Sequence, residues 1–244
     1  MTTPLAIIGM GRFGLCIANI LSAEFEIAYV DRLERTQQFK RLSLQDLSDY
    51  KHVLLAVPIN ALQNVLLEIA PMLTPGTTVL DTASVKVLPT QWMIETLSEK
   101  INVISTHPIF GPDSYPANNT IVIHDARCPA PQFKQWQQRF HDLGLQPVLM
   151  TPQQHDQEVS VTQSITHYIG RLLDSLDLPN HEVATEGYRR LQQLQQQTCH
   201  DSIELFSDIM RYNPFNSEVL DQLAQAQQQL HRLLSTEESH NGQQ

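Results

Sequence analysis

Gly9-Met10-Gly11-Arg12-Phe13-Gly14 decides the fold through what flanks it. Ahead of it, Leu5-Ala6-Ile7-Ile8 is a short unbroken apolar run, the pattern of a buried strand. Behind it, Phe13 to Leu21 has helical spacing. The next apolar run, Ile27-Ala28-Tyr29-Val30, closes on Asp31, about 20 residues past the glycines, where a dinucleotide site needs an acid. Gly9 allows the tight turn, Gly11 lets the backbone approach a pyrophosphate, and Gly14 lets helix and strand pack closely. The helix start at Arg12 and Phe13 then offers unpaired N–H groups and a positive dipole end to the anion. The competing reading is a glycine-rich turn that binds nothing.

The pattern continues outward. Val53-Leu54-Leu55-Ala56-Val57 reads as a third buried strand ended by Pro58, and Val57 and Pro58 join the expected cofactor set. Ile59 to Ile69 has helical spacing, Thr78 to Asp81 reads as a strand, Val87 to Leu97 as a helix and Ile101 to Ser105 as a strand. Strands at Thr120 to Ile123 and Gln146 to Met150 surround a helix at Pro131 to Leu143. Short apolar runs alternating with helices predict an α/β fold, a Rossmann-type, mostly parallel, doubly wound sheet over residues 1–150. After Thr151-Pro152 strand signals stop, and Ile165, Ile169, Leu172, Leu173 and Leu176 follow the helical period, as do Ile203, Phe206, Ile209 and Met210. A smaller all-α domain over 151–235 is predicted, then a frayed polar tail over 236–244. Its apolar stripes exceed what about 80 residues bury alone, so a homodimer through the helices is expected.

A formal net charge of −10 argues against nucleic acid and anionic membranes as partners. No run approaches the length of a membrane span, and no signal peptide is expected. Cys16, Cys128 and Cys199 are widely spaced and odd in number, which predicts no disulfide framework and a reducing, cytoplasmic setting. The ten histidines form no set with metal-ligand spacing.

Ligands of such sheets bind beyond the C-terminal ends of the strands. Ser84 and Lys86 follow the strand ending at Asp81, and His107 follows the strand ending near Ser105, held extended by Pro108. A histidine there suits proton removal from an alcohol as hydride leaves for a nicotinamide; the bland alternative is a histidine bonded to backbone. Gln163, His167 and Arg171 are spaced i, i+4, i+8, a polar stripe among apolar neighbours that an anionic substrate would pair. The alternative is that Arg171 reaches solvent and His167 bonds a neighbouring helix.

Three motifs in order, residues 9–14, Asp81-Thr82-Ala83-Ser84-Val85-Lys86 and His107-Pro108-Ile109-Phe110-Gly111-Pro112-Asp113-Ser114, resemble the prephenate/arogenate dehydrogenases of tyrosine biosynthesis. His155-Asp156 with Gln163 to His167, and Gly187-Tyr188 followed by Asp201-Ser202, resemble the plant-type arogenate branch. The resemblance implies that His107 takes the proton of the ring hydroxyl, that Ser84 bonds that hydroxyl and orients His107, and that Gln163 and His167 lie against the substrate. It implies oxidative decarboxylation of arogenate, or of prephenate, with NAD or NADP. Gln197 stands where many prephenate-using members carry an arginine, which leaves Arg171 to hold a carboxylate and Asp156 to meet an ammonium or to cap its helix. Asp31 favours NAD through the ribose hydroxyls, while Arg32 beside it would receive a 2′-phosphate. A non-catalytic dinucleotide-binding redox sensor is the reading from another class. A β-hydroxyacid dehydrogenase normally uses a lysine in its helical part, and Met150 to Leu234 contains none.

Overall fold

The computed structural model describes residues 3–113, 119–179 and 181–241, with side chains as far as residue 235. Ser114 of the third motif lies outside the described residues. The chain divides into two compact units, Met1–His155 and Asp156–Gln244.

The first unit is an eight-stranded sheet. Its strands are β1 (Thr3–Ile8), β2 (Phe25–Val30), β3 (Lys40–Arg41), β4 (His52–Leu55), β5 (Thr78–Asp81), β6 (Asn102–Pro108), β7 (Thr120–Arg127) and β8 (Gln146–Leu149). The strand order is β3-β2-β1-β4-β5-β6-β7-β8. β1 to β6 are mutually parallel, β7 runs antiparallel to β6, and β8 parallel to β7. Chain order therefore reverses between β1 and β4, the crevice where open α/β sheets bind ligands. Helices α1 (Arg12–Leu21), α2 (Ile59–Ile69), α3 (Val87–Thr96) and α4 (Ala130–Asp142) cover the two faces. Alternate residues of β1 supply two cores: Leu5 and Ile7 pack with Ile17, Leu21 and Trp136, and Ala6 and Ile8 with Leu62, Leu66 and Met93.

Two strands depart from the sequence reading. β6 runs through Pro108, so His107 lies within the strand and not after it. β7 extends to Arg127, its polar second half held by the ladder to β6. β3 carries no sequence signal, being two exposed residues whose backbone pairs with β2.

Helix α5 (Pro152–Val159) carries the chain from the first unit into the second, and His155 belongs to the first, five residues past the predicted boundary. A π-helical turn, Ser160–Ser164, leads into α6 (Ile165–Asp174), followed by α7 (Glu186–Cys199), α8 (Ile203–Tyr212) and α9 (Asn216–Asn241). Thr185 and Ser202 cap α7 and α8, accepting from the amides of Tyr188 and Leu205. α6 meets α7 at Gly170, where a Cβ would lie 1.9 Å from Thr198 Oγ1. α9 stays helical to Asn241, past the point where a frayed tail is predicted, and residues 242–244 lie outside the described ones. No helix among the described residues is long and apolar enough to cross a membrane.

Candidate functional site

The turn from β1 into α1 has a steric reason for Gly9 and for Gly14 and is open at Gly11. Gly9 has φ +93°, and a Cβ there would meet the Ala56 carbonyl oxygen at 2.4 Å. A Cβ on Gly14 would lie 2.1 Å from the Gly9 carbonyl oxygen. Gly11 faces open space, with nothing within 4 Å of an added Cβ, in the place where a pyrophosphate needs room beside backbone. Val57 is half-buried and Pro58 exposed, at the mouth of β4 beside this turn. Phe13 packs against Phe110, and exposed Arg12 pairs with Asp113 at 2.9 Å.

Asp31 follows β2 with its side chain 12% exposed. Its Oδ2 accepts from the Met10 amide at 2.9 Å, and its Oδ1 from the Leu33 amide at 2.9 Å and from Arg35 Nε at 3.4 Å. Burial pushes this carboxyl up, but the Leu33 and Met10 amides and Arg35 outweigh it and hold the group below the usual carboxylate range. Oδ2, which accepts only from the Met10 amide, keeps a second lone pair for a ribose hydroxyl. Arg32 is exposed, and Arg41 bonds the Asp31 and Arg32 carbonyls. An open backbone cradle, a helix start and a fixed acid at the second strand together fit a dinucleotide.

The ends of β5 and β6 form a dry polar cluster. Asp81 and Lys86 are paired in the core, each 1% exposed or less. Lys86 Nζ also donates to the Thr106 carbonyl at 2.6 Å, and Asp81 accepts from the Ala83 and Thr106 amides, both at 3.0 Å. Lys86 is thus a structural cation and not one that faces a ligand. Thr90 donates to Ser105 at 2.7 Å. His107 is 4% exposed. Burial, then His155 and Lys86, drive its imidazole well below the usual histidine range, so it is neutral and able to accept a proton.

The partner of His107 is His155 and not the expected Ser84. His107 Nδ1 lies 2.7 Å from His155 Nε2, while half-buried Ser84 makes no described bond to His107. Sequence spacing gave no hint of this contact, because the two rings are 48 residues apart and meet through β8 and α5. Asp156 is not the helix cap. Thr151 and Gln154 cap each other reciprocally, Thr151 donating to Gln154 Oε1 at 3.0 Å and its hydroxyl accepting from the Gln154 amide at 3.2 Å. Asp156 lies a turn further in, fully buried, its carbonyl accepting from Asn213 Nδ2 at 2.8 Å.

In the second unit, α6 buries the face opposite to the one its apolar pattern suggests. Ser164, His167 and Gly170 are buried, whereas Leu172 is 47% and Leu176 60% exposed. Four buried polar atoms there have no hydrogen-bond partner: Gln163 Oε1, Ser164 Oγ, His167 Nδ1 and Arg171 Nε. Arg171 is half-buried: its Nη2 donates to the Asp201 carbonyl, and its guanidinium sits 5.8 Å over Phe206. His167 Nε2 lies 4.0 Å from an Asp201 carboxylate oxygen. Burial lowers the His167 pKa, Asp201 opposes this, and Arg171 adds to it. The sequence reading does not single out Ser164, which ends a π turn that carries no residue-type signature. Gln197 is exposed on α7. No group of three or more metal-ligating side chains occurs among the described residues.

Residues 26–121 match the family model of the prephenate dehydrogenase nucleotide-binding domain, and residues 172–244 the TYRAAT1-like C-terminal domain. Arogenate dehydrogenase 1, chloroplastic, of Arabidopsis thaliana is 30% identical over 244 residues, covering 91% of this chain and 38% of its own. The probable arogenate/prephenate dehydrogenase of Methanocaldococcus jannaschii is 27% identical over 180 residues, covering 68% of this chain and 40% of its own. The chain thus spans about two-fifths of the length of these curated relatives. Among solved structures, prephenate dehydrogenase from A. aeolicus, in complex with hydroxyphenyl propionate and NAD+, has a TM-score of 0.77 at 18% identity, covering 97% of this chain and 92% of its own. Synechocystis arogenate dehydrogenase has a TM-score of 0.71 at 21% identity, covering 97% and 93%. At these identities the structures speak for the fold, and the plant relative together with the matched nucleotide-binding domain speaks for the lineage. This chain belongs to the prephenate/arogenate dehydrogenase family.

Proposed function

We propose that this protein is an arogenate dehydrogenase, which converts arogenate to tyrosine by oxidative decarboxylation with NAD+. The observation that carries the reading is His107, a buried neutral imidazole at the end of β6, in the same unit as the glycine cradle of β1 and α1. Bound NAD+ supplies the hydride acceptor for the ring carbinol. The backbone from Gly9 to Gly14, with the N–H groups of Arg12 and Phe13, would hold the pyrophosphate, and Val57 and Pro58 would border the cofactor. His107 takes the hydroxyl proton at Nε2, since Nδ1 is engaged by His155. Ser84 bonds the same hydroxyl. As the hydroxyl becomes a carbonyl, the ring carboxylate leaves as CO2, and the electrons of that C–C bond complete an aromatic ring, which makes the step irreversible.

Arogenate is favoured over prephenate by the chemistry of the second unit. Arg171 Nε and Ser164 Oγ are donors that match a carboxylate, and Gln163 Oε1 is an acceptor waiting for a donor, which an α-ammonium supplies and a keto group does not. Asp156, which does not cap its helix, is a residue of the charge sign opposite to an ammonium. Asp31 supports NAD+ over NADP+, since its carboxylate accepts from ribose hydroxyls and repels a 2′-phosphate. The exposed Leu172, Leu176, Leu230, Leu233 and Leu234 of the second unit support a homodimer through these helices. Cys16, Cys128 and Cys199 are free thiols, which supports a reducing compartment such as the cytoplasm.

The test is steady-state NAD(P)H absorbance with arogenate and prephenate, each with NAD+ and NADP+. The highest kcat/KM belongs to arogenate with NAD+. Absence of turnover in all four combinations overturns the enzyme assignment, and a prephenate preference overturns the substrate.

A further inference from the structure

The bond between His107 and His155 defines more than a contact. The rings lie 4.9 Å apart at 73°, with Nδ1 of one 2.7 Å from Nε2 of the other, and both side chains are excluded from solvent. Two imidazole nitrogens at that distance share one proton, so one must donate and the other accept. If His155 donates, His107 carries its own proton on Nε2 and cannot act as a base. If His107 donates from Nδ1, its Nε2 presents a lone pair.

The groups around the pair decide what else the bond does. Lys86, on the loop after β5, repels a proton on His107. Asp81 does not counter this by bonding His107, since its two oxygens are taken by Lys86 and the Ala83 and Thr106 amides. On β7 the titratable group is His124, two residues past Val122, which pairs in register with His107. On α5 the neighbour of His155 is the buried Asp156. The group that bonds the His107 ring is thus another imidazole and not a carboxylate.

We propose that His155 is the positioning residue of the base: its Nε2 accepts the Nδ1–H of His107, which fixes the tautomer that leaves His107 Nε2 open to the substrate hydroxyl. This role is the one a carboxylate fills beside the histidine of hydrolytic triads, and the family resemblance gives it to Ser84. A neutral orienter fixes the tautomer without adding negative charge. His107 therefore stays unprotonated well into the acid range, where a carboxylate-bound imidazole would already be protonated. In the reaction the substrate O–H bond breaks, its electron pair stays on oxygen, and an N–H bond forms at Nε2. The pair gains one proton, and the Nδ1–H bond to His155 becomes charge-assisted.

The role rests on the dehydrogenase reading, and its test separates the two. Three variants, His155→Leu, His155→Gln and His155→Glu, are assayed with arogenate and NAD+ across pH. Loss of the acceptor in His155→Leu lowers kcat about 100-fold with the KM for NAD+ unchanged. His155→Gln, whose Oε1 accepts the same proton, recovers at least half of that loss on a logarithmic scale. His155→Glu restores an acceptor and adds charge, which moves the acid limb of kcat/KM up by about one pH unit or more. A packing role would give Leu and Gln equal losses and leave the acid limb in place, which overturns the proposal. Nitrogen-15 NMR of the cofactor-free protein reads the tautomer directly, and a His107 ring protonated on Nε2 also overturns it. If wild type turns over neither arogenate nor prephenate, the enzyme reading fails, while the NMR experiment still decides the orientation of the pair.

Discussion

Two buried polar regions of this chain are built in opposite ways. At the ends of β5 and β6, Asp81, Lys86, Thr106, Thr90, Ser105, His107 and His155 are hydrogen-bonded among themselves. On the π turn and α6, Gln163 Oε1, Ser164 Oγ, His167 Nδ1 and Arg171 Nε are buried and meet none. A buried polar atom without a partner costs about 1–3 kcal/mol, so a cluster of four marks a place where ordered water or a ligand supplies the partners. The first region is bonded within the chain; on the function proposed above, the second is where the substrate supplies the missing partners.

The largest effect belongs to the assembled region. His107→Asn is expected to lower kcat about 10²–10⁴-fold while leaving NAD+ affinity as it was. Stopped-flow or steady-state absorbance reads the first and fluorescence titration the second; a kcat close to wild type removes His107 from the chemistry. Next comes Lys86→Met, which leaves the Asp81 carboxylate buried without its cation. Breaking a buried pair on one side costs about 3–5 kcal/mol, and denaturant unfolding should show the whole of it. A loss below about 1 kcal/mol would mean that water reaches Asp81 and that this region is less closed than its burial indicates.

The unsatisfied region should respond in the reverse sense. Gln163→Leu removes an unpaired acceptor at nearly constant volume, so unfolding free energy stays level or rises, while kcat/KM for arogenate falls about tenfold. Asp156→Asn should move the arogenate-to-prephenate ratio of kcat/KM toward prephenate by about tenfold or more, if its carboxylate meets the ammonium. Gln197→Arg, placed on an exposed stretch of α7, should leave that ratio unchanged. Loss of stability in Gln163→Leu with activity intact would assign these atoms to the fold and end the contrast.

The same contrast explains what the sequence disclosed. Backbone geometry is written in residue types: Gly9 and Gly14 each answer a steric demand, Gly11 leaves the turn open, and Asp31 follows a strand, so the sheet and the glycine turn are legible in the sequence. Apolar periodicity gave the helices but misjudged α6. Its pattern reads Leu172 and Leu176 inward, whereas the buried face carries Ser164, His167 and Gly170. A helix that buries polar and small residues cannot be told by pattern from one that exposes them. The His107–His155 bond and the Asp81–Lys86 pair depend on where β6, α5 and the loop after β5 meet, and no spacing rule encodes that meeting.

The smallest effect concerns an orphan in the first unit, and it tests whether an unpaired atom always marks a ligand. His52 Nδ1 is buried without a partner, but its ring packs edge-on against Trp136 at 5.2 Å and Phe25 at 5.9 Å, an apolar setting with no cluster around it. Burial, helped by Arg139, lowers its pKa to about 4. A histidine depressed in the folded state binds fewer protons there than in the unfolded chain. Its contribution is therefore neutral above the unfolded value of about 6.5, turns unfavourable as pH falls below it, and levels off below the folded value. His107, His124 and His167 are depressed in the same direction, so acid lowers the stability of wild type through several groups at once. His52→Leu removes one of them and keeps the packing. Its melting temperature should match wild type near pH 8 and exceed it near pH 5 by a few degrees, since about 1 kcal/mol corresponds to about 2–4 °C in a chain of this size. Arogenate turnover at pH 8 should not change. Parallel loss of stability in both proteins would mean that His52 stays unprotonated throughout or finds a partner on acidification. A drop in turnover would make it a second unsatisfied site, and an orphaned atom would then mark function even without a cluster around it.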